Sequence, residues 1–255
     1  MQEFRKDKLL VEIFDTRDEM GKKAASDAGK VIKALLAKKP EINMIFAAAP
    51  SQDDFLKYLA ADKDIDFTRI NAYHMDEYIG LDHDAPQGFG NYLKEHIFGI
   101  CPFKTVHYLN GQASDPQAEC RRYSDMLGKV HIDIVCMGIG ENGHIAFNDP
   151  RNADLNDPKS VKTVALDDVC RQQQVNDGCF DAFGEVPKMA MTLTVSMLMS
   201  ADYHFCMVPT DRKAKAAKRM IEGEISAECP ASVLRRAPHA TLYLDGPAAS
   251  LIKEA

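Results

Sequence analysis

Short apolar runs alternate with longer amphipathic segments along the whole chain, and this alternation predicts a β/α fold. Strands are predicted at residues 9–14, 43–48, 69–74, 105–109, 132–137, 203–208 and 241–244. Helices are predicted at residues 16–39, directly after residue 51, and at 90–98, 116–127 and 211–221. Strands that alternate with crossover helices form a mostly parallel sheet with helices on both faces. We therefore expect a single α/β domain over residues 1–255, of the Rossmann-like, doubly wound kind.

Two helix starts carry local signals. Thr16 followed by Glu19 forms a capping box at the start of the first helix. Ser51 is predicted to cap the second helix, where Asp53 and Asp54 fall favourably in the first turn.

The segment 150–187 differs from the rest because it is polar and too long for an ordinary connection. The preferred interpretation is a lid over a binding site. The alternative is a surface excursion with a small strand of its own at 161–166.

Composition narrows the function classes. The 255 residues carry a net charge of −7, so no basic surface indicates a nucleic-acid partner. Seven cysteines without a Cys-x-x-Cys pair are typical of reduced core cysteines. Residues 1–7 lack the apolar core of a signal peptide, and no apolar run reaches the ~20 residues of a membrane helix. The sequence therefore predicts a cytoplasmic protein without a membrane partner.

In sheets of this kind, ligands bind outside the carboxyl ends of the strands, and polar residues follow four of the predicted strands. Ser51 and Gln52 follow the second strand, where a hydroxyl and free amides at a helix start can bind an anion; a simple helix cap is the alternative. Asp76 follows the third strand, where partial burial can tune it as a base; a solvated turn is the alternative.

The third of these four sites follows the predicted strand at 132–137. It combines three glycines with a histidine, His144, flanked by Asn142 and Asp149. A histidine beside a carboxylate is the usual general acid/base near neutral pH. The spacing Gly-x-Gly-x-x-Gly-His lacks the helix and the acid of a dinucleotide site. No His-Glu-x-x-His motif or cysteine/histidine set has zinc spacing, so no metal is predicted.

The fourth site follows the predicted strand at 203–208. It places cations in the first turn of the helix at 211–221, where they oppose the helix dipole. Phosphate binding by Lys213 would explain them; the alternative is a solvated basic face. Together, the four strand ends supply an anion loop, a base, an acid/base histidine and a lysine, which is the equipment for proton transfer on a sugar phosphate.

Three motifs carry a family resemblance. Met-Asp-Glu-Tyr-Ile-Gly-Leu at 75–81, Gly-Ile-Gly at 138–140 continued by Gly-His-Ile-Ala-Phe-Asn-Asp-Pro at 143–150, and Val-Pro-Lys-Met-Ala-Met-Thr at 186–192 closely resemble the glucosamine-6-phosphate deaminase (isomerase) family. The resemblance covers about residues 8–250. The sister family, 6-phosphogluconolactonase, typically carries Gly-His-Thr-Ala-Ser-Leu-Phe where this chain has Gly-His-Ile-Ala-Phe.

The resemblance implies a role for each candidate residue. Asp76 matches the base that moves a proton between carbons 2 and 1, and His144 matches the residue that opens the sugar ring. Asp149 stands where a glutamate usually assists that histidine, and Asn142 stands where many members carry an aspartate. Lys213 matches the phosphate-binding lysine.

The chain also departs from the family pattern at the phosphate site. Ser51 and Gln52 lie where the family has a glycine-rich phosphate loop, but the loop here reads Ala-Ala-Pro-Ser-Gln. Arg171 is the candidate for a basic lid residue that contacts substrate.

The resulting hypothesis is an enzyme that converts glucosamine 6-phosphate, or a close relative, to the ketose phosphate and ammonia, with no cofactor or metal. Two alternatives stay open: a lactonase that uses the same histidine, and a non-catalytic sugar-phosphate sensor. The sequence leaves open assembly into a homo-oligomer.

Overall fold

The computed structural model describes residues 1–253; the last two residues of the predicted domain lie outside this range. Eight strands form the main sheet, in the order β1-β2-β11-β10-β7-β3-β4-β6, and three form a small second sheet, in the order β5-β9-β8. The strands are β1 (Gln2–Lys6), β2 (Leu9–Phe14), β3 (Ile42–Phe46), β4 (Ile70–His74), β5 (Asp76–Tyr78), β6 (Thr105–His107), β7 (Ile134–Met137), β8 (Val161–Ala165), β9 (Met189–Leu193), β10 (Tyr203–Val208) and β11 (Ala240–Asp245).

The helices that the alternating pattern predicts all lie between these strands, and three further α-helices were not predicted: two between strands and one after β11. They are α1 (Arg17–Leu36), α2 (Asp53–Ala61), α3 (Phe89–Leu93), α4 (Pro116–Leu127), α5 (Asp168–Asn176), α6 (Val195–Leu198), α7 (Ala214–Glu222) and α8 (Gly246–Ala249). A π-helical turn, Lys94–Phe98, extends α3.

The main sheet is parallel except for β1, which pairs antiparallel with β2. Two hydrophobic cores lie on its two faces: one packs against α1, α2 and α3, and the other against α4, α7 and α8. Alternate residues of one strand serve both cores; Met44 and Phe46 of β3 face one, and Ile45 faces the other. The predicted doubly wound α/β fold is confirmed.

The helix starts agree with the sequence at one place and differ at another. Thr16 caps α1, because its hydroxyl accepts a hydrogen bond of 3.2 Å from Glu19 N. The prediction that Ser51 caps α2 is wrong. Residues Pro50–Gln52 form a turn of 3₁₀ helix, so α2 starts at Asp53 without a side-chain cap.

The segment 150–187 contains β8 and α5, so the excursion does have the small strand that the alternative interpretation expected. Strand β9, directly after this segment, pairs antiparallel with both β5 and β8. The second sheet therefore ties this segment to the chain that follows β4. Among residues 1–253, no helix has both the length and the apolar character needed to cross a membrane.

Candidate active site

A cavity of about 390 Å³ lies at the carboxyl ends of the central strands. It opens beside β3, where the strand order reverses. The next strand of the main sheet along the chain, β4, pairs with one edge of β3, whereas β7 pairs with the other edge. This is the expected ligand position in an open parallel sheet. Four of the predicted site residues line the cavity: Ser51, Asp76, His144 and Lys213.

Asp76 is the first residue of β5 and faces the cavity with only 6% of its surface exposed. Its carboxylate makes no hydrogen bond to any side chain within residues 1–253. Burial, and next the charge of Glu77, raise the pKa of Asp76 well above its usual value. A carboxyl group with a raised pKa and free oxygens is suited to accept a proton from a substrate.

The neighbouring carboxylate, Glu77, is occupied by backbone amides. It accepts hydrogen bonds from Tyr78 N (2.9 Å), Phe89 N (3.1 Å) and Gly90 N (2.9 Å). These bonds hold the start of α3 against β5, because an anion there satisfies free N–H groups of the helix. Of the two adjacent acids, Asp76 is thus the one available for chemistry.

His144 lies in a tight loop after β7 and is 7% exposed. The loop is closed by hydrogen bonds from Gly140 N to His144 O (2.9 Å) and from Gly143 N to Gly140 O (3.0 Å). Gly143 has φ +88°, and a Cβ there would lie 2.7 Å from Cys229 Sγ. The histidine ring lies directly over Gly140. The glycines thus allow the loop to turn and the ring to pack on the main chain.

Asp149 and Asn142 contact His144 and each other. Asp149 is fully buried, and its Oδ1 lies 3.0 Å from His144 Nδ1 in a bent approach. The Asn142 amide donates to Asp149 Oδ1 (3.0 Å), and its carbonyl oxygen accepts from His144 N (3.0 Å). Neither Asn142 nor Asp149 lines the cavity, so their contacts are those of positioning residues.

Asp149 is kept as a carboxylate. Burial raises its pKa, but the contacts with His144, Asn142 and the amide of Asp167 outweigh burial, and the net pKa is lowered. The pKa values of Asp76 and Asp149 are therefore shifted in opposite directions, although both side chains are buried. A carboxylate at this position keeps the imidazole ring oriented.

Lys213 ends the 3₁₀ turn before α7 and is 5% exposed. Its ammonium makes no hydrogen bond or ion pair within the described part of the chain. Burial lowers its pKa, while the charges of Asp177 and Glu141 act in the opposite direction. A buried, unpaired ammonium in a cavity wall is costly unless an anion binds there.

Two non-glycine residues in the cavity wall have positive φ. These are Ala146 (φ +47°), two residues after His144, and Thr210 (φ +79°), three residues before Lys213. The backbone of Thr210 is held by hydrogen bonds of 3.0 Å from its N–H to both oxygens of Asp245. Such strained backbone concentrates at functional sites, and here it flanks the two candidate residues.

Ser51 reaches the cavity but Gln52 does not. The Gln52 amide is buried and donates to Ser51 Oγ (3.0 Å) and to Met137 O (3.3 Å). Ser51 also lies close to Gly138, where a Cβ would be 3.0 Å from its hydroxyl. The structure thus places Gln52 behind Ser51, holding the loop across the crevice.

Arg171 does not line the cavity, contrary to the prediction that it contacts substrate. Its guanidinium donates to Phe183 O and Val186 O (2.9 Å each) and lies 4.0 Å from the Phe183 ring centroid. Arg171 points away because these carbonyl groups and the ring offer buried partners inside segment 150–187. Its contacts hold that segment together.

Several cavity residues were not found from the sequence: Arg17, Tyr92, Gln173, Gln174 and Thr210. Gln173 connects α5 to the loop that carries His144, because its carbonyl oxygen accepts a hydrogen bond from Glu141 N at 2.8 Å. Glutamines in a polar segment carry no distinctive signal. Arg17, however, starts a helix after a strand, which is the same pattern that singled out Lys213.

One group of buried side chains around His144 has metal-ligand chemistry. The ligand atoms of His144, Asp149 and Cys170 all lie within 4.8 Å of one another. Burial raises the pKa of the Cys170 thiol well above its usual value, which disfavours the thiolate that metals bind. Independence from metals stays a prediction.

Comparisons with known proteins agree with this geometry. Residues 15–243 match the family model of glucosamine-6-phosphate isomerases/6-phosphogluconolactonase. The glucosamine-6-phosphate deaminase of Lactobacillus delbrueckii subsp. bulgaricus is 35% identical over 236 residues, which cover 91% of this chain and 97% of that protein.

Two solved structures extend the comparison. A monomeric glucosamine-6-phosphate deaminase superposes with a TM-score of 0.86 at 29% identity, covering 94% of this chain and 99% of the other. The 6-phosphogluconolactonase of Thermotoga maritima gives a TM-score of 0.75 at 17% identity, covering 93% and 99%, so it shares the fold. The chain therefore belongs to the glucosamine-6-phosphate isomerase/6-phosphogluconolactonase family.

Proposed function

We propose that this protein is an amino-sugar-phosphate deaminase that converts glucosamine 6-phosphate, or a close relative, to fructose 6-phosphate, or the matching ketose phosphate, and ammonia. The observation that carries the proposal is the pairing of Asp76 with His144 in one cavity. Asp76 is a buried carboxyl group with a raised pKa and free oxygens, and His144 is held by the buried carboxylate of Asp149. Relatives at about a third identity named as deaminases support the same activity.

His144 moves protons during ring opening. The anomeric hydroxyl of the sugar loses its proton and the ring oxygen gains one, which a single imidazole can serve in turn. Asp149 keeps the ring oriented, and Asn142 fixes both the Asp149 carboxylate and the His144 main chain. The product of this step is the open-chain aldehyde.

Asp76 then moves a proton between two carbons. It takes the proton from carbon 2 while the aldehyde oxygen on carbon 1 takes up a proton from solvent, which gives an enediol-type intermediate with nitrogen on carbon 2. It then returns the proton to carbon 1. The resulting imine at carbon 2 is hydrolysed by water, so that ammonia leaves and a carbonyl group remains. Each acid/base step contributes about 10²–10⁴-fold, and positioning in the cavity supplies more.

Binding of the phosphate is assigned to Lys213 and the Ser51 hydroxyl. A charge-assisted hydrogen bond from a buried ammonium is about twice as strong as a neutral one. Segment 150–187 acts as the lid: α5 presents Gln173 and Gln174 to the cavity. One domain thus contains the whole site, and no cofactor takes part in any step.

A substrate screen tests the proposal. Purified protein should release ammonia from glucosamine 6-phosphate or galactosamine 6-phosphate, and should leave 6-phosphogluconolactone at its spontaneous rate of hydrolysis. Fast lactone hydrolysis without ammonia release would assign the protein to the lactonase side of the family. Tight binding of a sugar phosphate without turnover would favour the sensor.

A further inference from the structure

Arg17 is a cation in the cavity wall that the mechanism above does not use. It is the first residue of α1 and lines the cavity together with Pro50 and Ser51. A cation in the first turn opposes the helix dipole, so its position has a cost that another interaction must offset. The contacts of Arg17 show how its guanidinium is placed.

The guanidinium is held on one side by the start of α2. Its Nε donates to Asp54 Oδ2 at 2.5 Å, and its Nη2 donates to Asp53 Oδ2 at 3.3 Å and to Pro50 O. Within residues 1–253, Nη1 makes no hydrogen bond. The two helices come close because Gly21 has no side chain: a Cβ there would overlap Asp54 Cβ. The planar, fork-shaped guanidinium is therefore oriented before any ligand binds, and its Nη1 is free to donate.

The loop beside Arg17 lacks some of the backbone donors that an anion could use. Pro50 has no N–H, Ala47 N is bonded to Cys136 O (2.9 Å), and Gln52 N is bonded to Ala49 O (2.8 Å). An anion at this loop therefore cannot use these three positions, and it gains from donors on neighbouring side chains. The side chains of Arg17 and Ser51 both line the cavity together with Pro50.

The phosphate also has acceptors for a second charged donor. A phosphate monoester has three acceptor oxygens and a charge of about −1.5 to −2 near neutral pH, and Lys213 is one donor group. The charge of Arg17 is already shared with Asp53 and Asp54, so what Arg17 adds is its free Nη1, a directed and charge-assisted donor. We propose that Arg17 binds the phosphate group of the substrate together with Lys213 and the Ser51 hydroxyl. Asp53 and Asp54 act as positioning residues that hold the guanidinium fork.

This assignment rests on the proposed function in one respect, namely that the substrate is phosphorylated. It makes Arg17 a specificity-determining residue, because a guanidinium selects phosphorylated over unphosphorylated sugars. It also adds a side-chain donor next to the Ala-Ala-Pro-Ser-Gln loop, whose backbone has no N–H at Pro50.

The test compares Arg17→Ala and Arg17→Lys with Lys22→Ala, which removes the same charge from an exposed position on the same helix. Two quantities are measured: KM for glucosamine 6-phosphate, and the dissociation constant of inorganic phosphate by titration calorimetry. Arg17→Ala should weaken both by about 10- to 100-fold, since a charge-assisted bond is lost. Arg17→Lys should fall in between, because lysine keeps the charge and loses the fork. Lys22→Ala should match the wild type.

Unchanged affinity of Arg17→Ala for inorganic phosphate overturns the assignment, and so does an equal loss in Lys22→Ala. If Arg17→Ala fails to fold, Arg17→Lys decides, and wild-type phosphate affinity in that variant counts against a phosphate ligand. The two proposals fail separately. A wild type that releases no ammonia but loses phosphate affinity in Arg17→Ala would refute the deaminase and support the role of Arg17.

Discussion

Replacing Gly140 by alanine should move His144 out of its catalytic position. A Cβ built on Gly140 would lie 2.1 Å from Cε1 of the His144 ring, and both ring nitrogens would also be closer than the 3.0 Å that real Cβ contacts respect. The main chain cannot easily yield, because hydrogen bonds of 2.9 and 3.0 Å close the loop around Gly140. The imidazole must move instead.

The size of the effect follows from the displacement. To reach ordinary contact at 3.4 Å, the ring must shift by about 1.3 Å, the difference between 2.1 and 3.4 Å. Such a shift removes the approach of Nδ1 to Asp149 and moves the ring relative to the sugar. A misplacement of about 1 Å costs on the order of 10²-fold, and complete loss of one acid/base group costs about 10²–10⁴-fold. We expect kcat for ammonia release to fall within that range.

Gly184→Ala is the matched control, because its Cβ would meet nothing within 4 Å. It should keep wild-type kcat, and thermal melting should show that both variants are folded. A Gly140→Ala variant with wild-type kcat would refute the conclusion that the packed position of His144 is needed for catalysis.

Three further predictions concern the cavity. First, kcat/KM should fall as pH decreases through the raised pKa of Asp76, because the base must be deprotonated; a pH profile that is flat down to the usual aspartate value of 3.8 would contradict this. Second, Lys213→Ala should raise KM for the phosphorylated substrate by about 10-fold or more, while unchanged steady-state kinetics would return Lys213 to a structural role. Third, activity should survive dialysis against EDTA, and a loss that zinc or magnesium restores would show that a metal takes part.

The central strands of the main sheet could be predicted from the sequence because they are buried on both faces. The run at residues 203–208 is apolar apart from His204, and β10 has the predicted bounds. Strand β1 and the small second sheet were harder to predict from the sequence. β5 has three residues, and its pairing with β9 joins positions more than a hundred residues apart. Pairing at that distance leaves no local pattern.

The site was predictable as far as it follows strand ends. Asp76, His144 and Lys213 meet in the cavity because parallel strands end at one edge. Arg171 could not be placed from the sequence, since its partners are carbonyl groups of Phe183 and Val186 in an irregular segment. The cap assigned to Ser51 was wrong because a 3₁₀ turn separates it from the helix.

The central claim is that Asp76 removes the proton from carbon 2, and exchange of that hydrogen with solvent deuterium tests it most directly. Wild-type protein incubated with glucosamine 6-phosphate in D₂O should incorporate deuterium into substrate and product. Asp76→Asn keeps the size of the side chain but removes the base, so it should still bind the sugar phosphate and should exchange about 10²–10⁴-fold more slowly. Exchange at the wild-type rate in Asp76→Asn would contradict the account, as would a wild type that hydrolyses 6-phosphogluconolactone and exchanges no carbon 2 hydrogen of any amino-sugar phosphate.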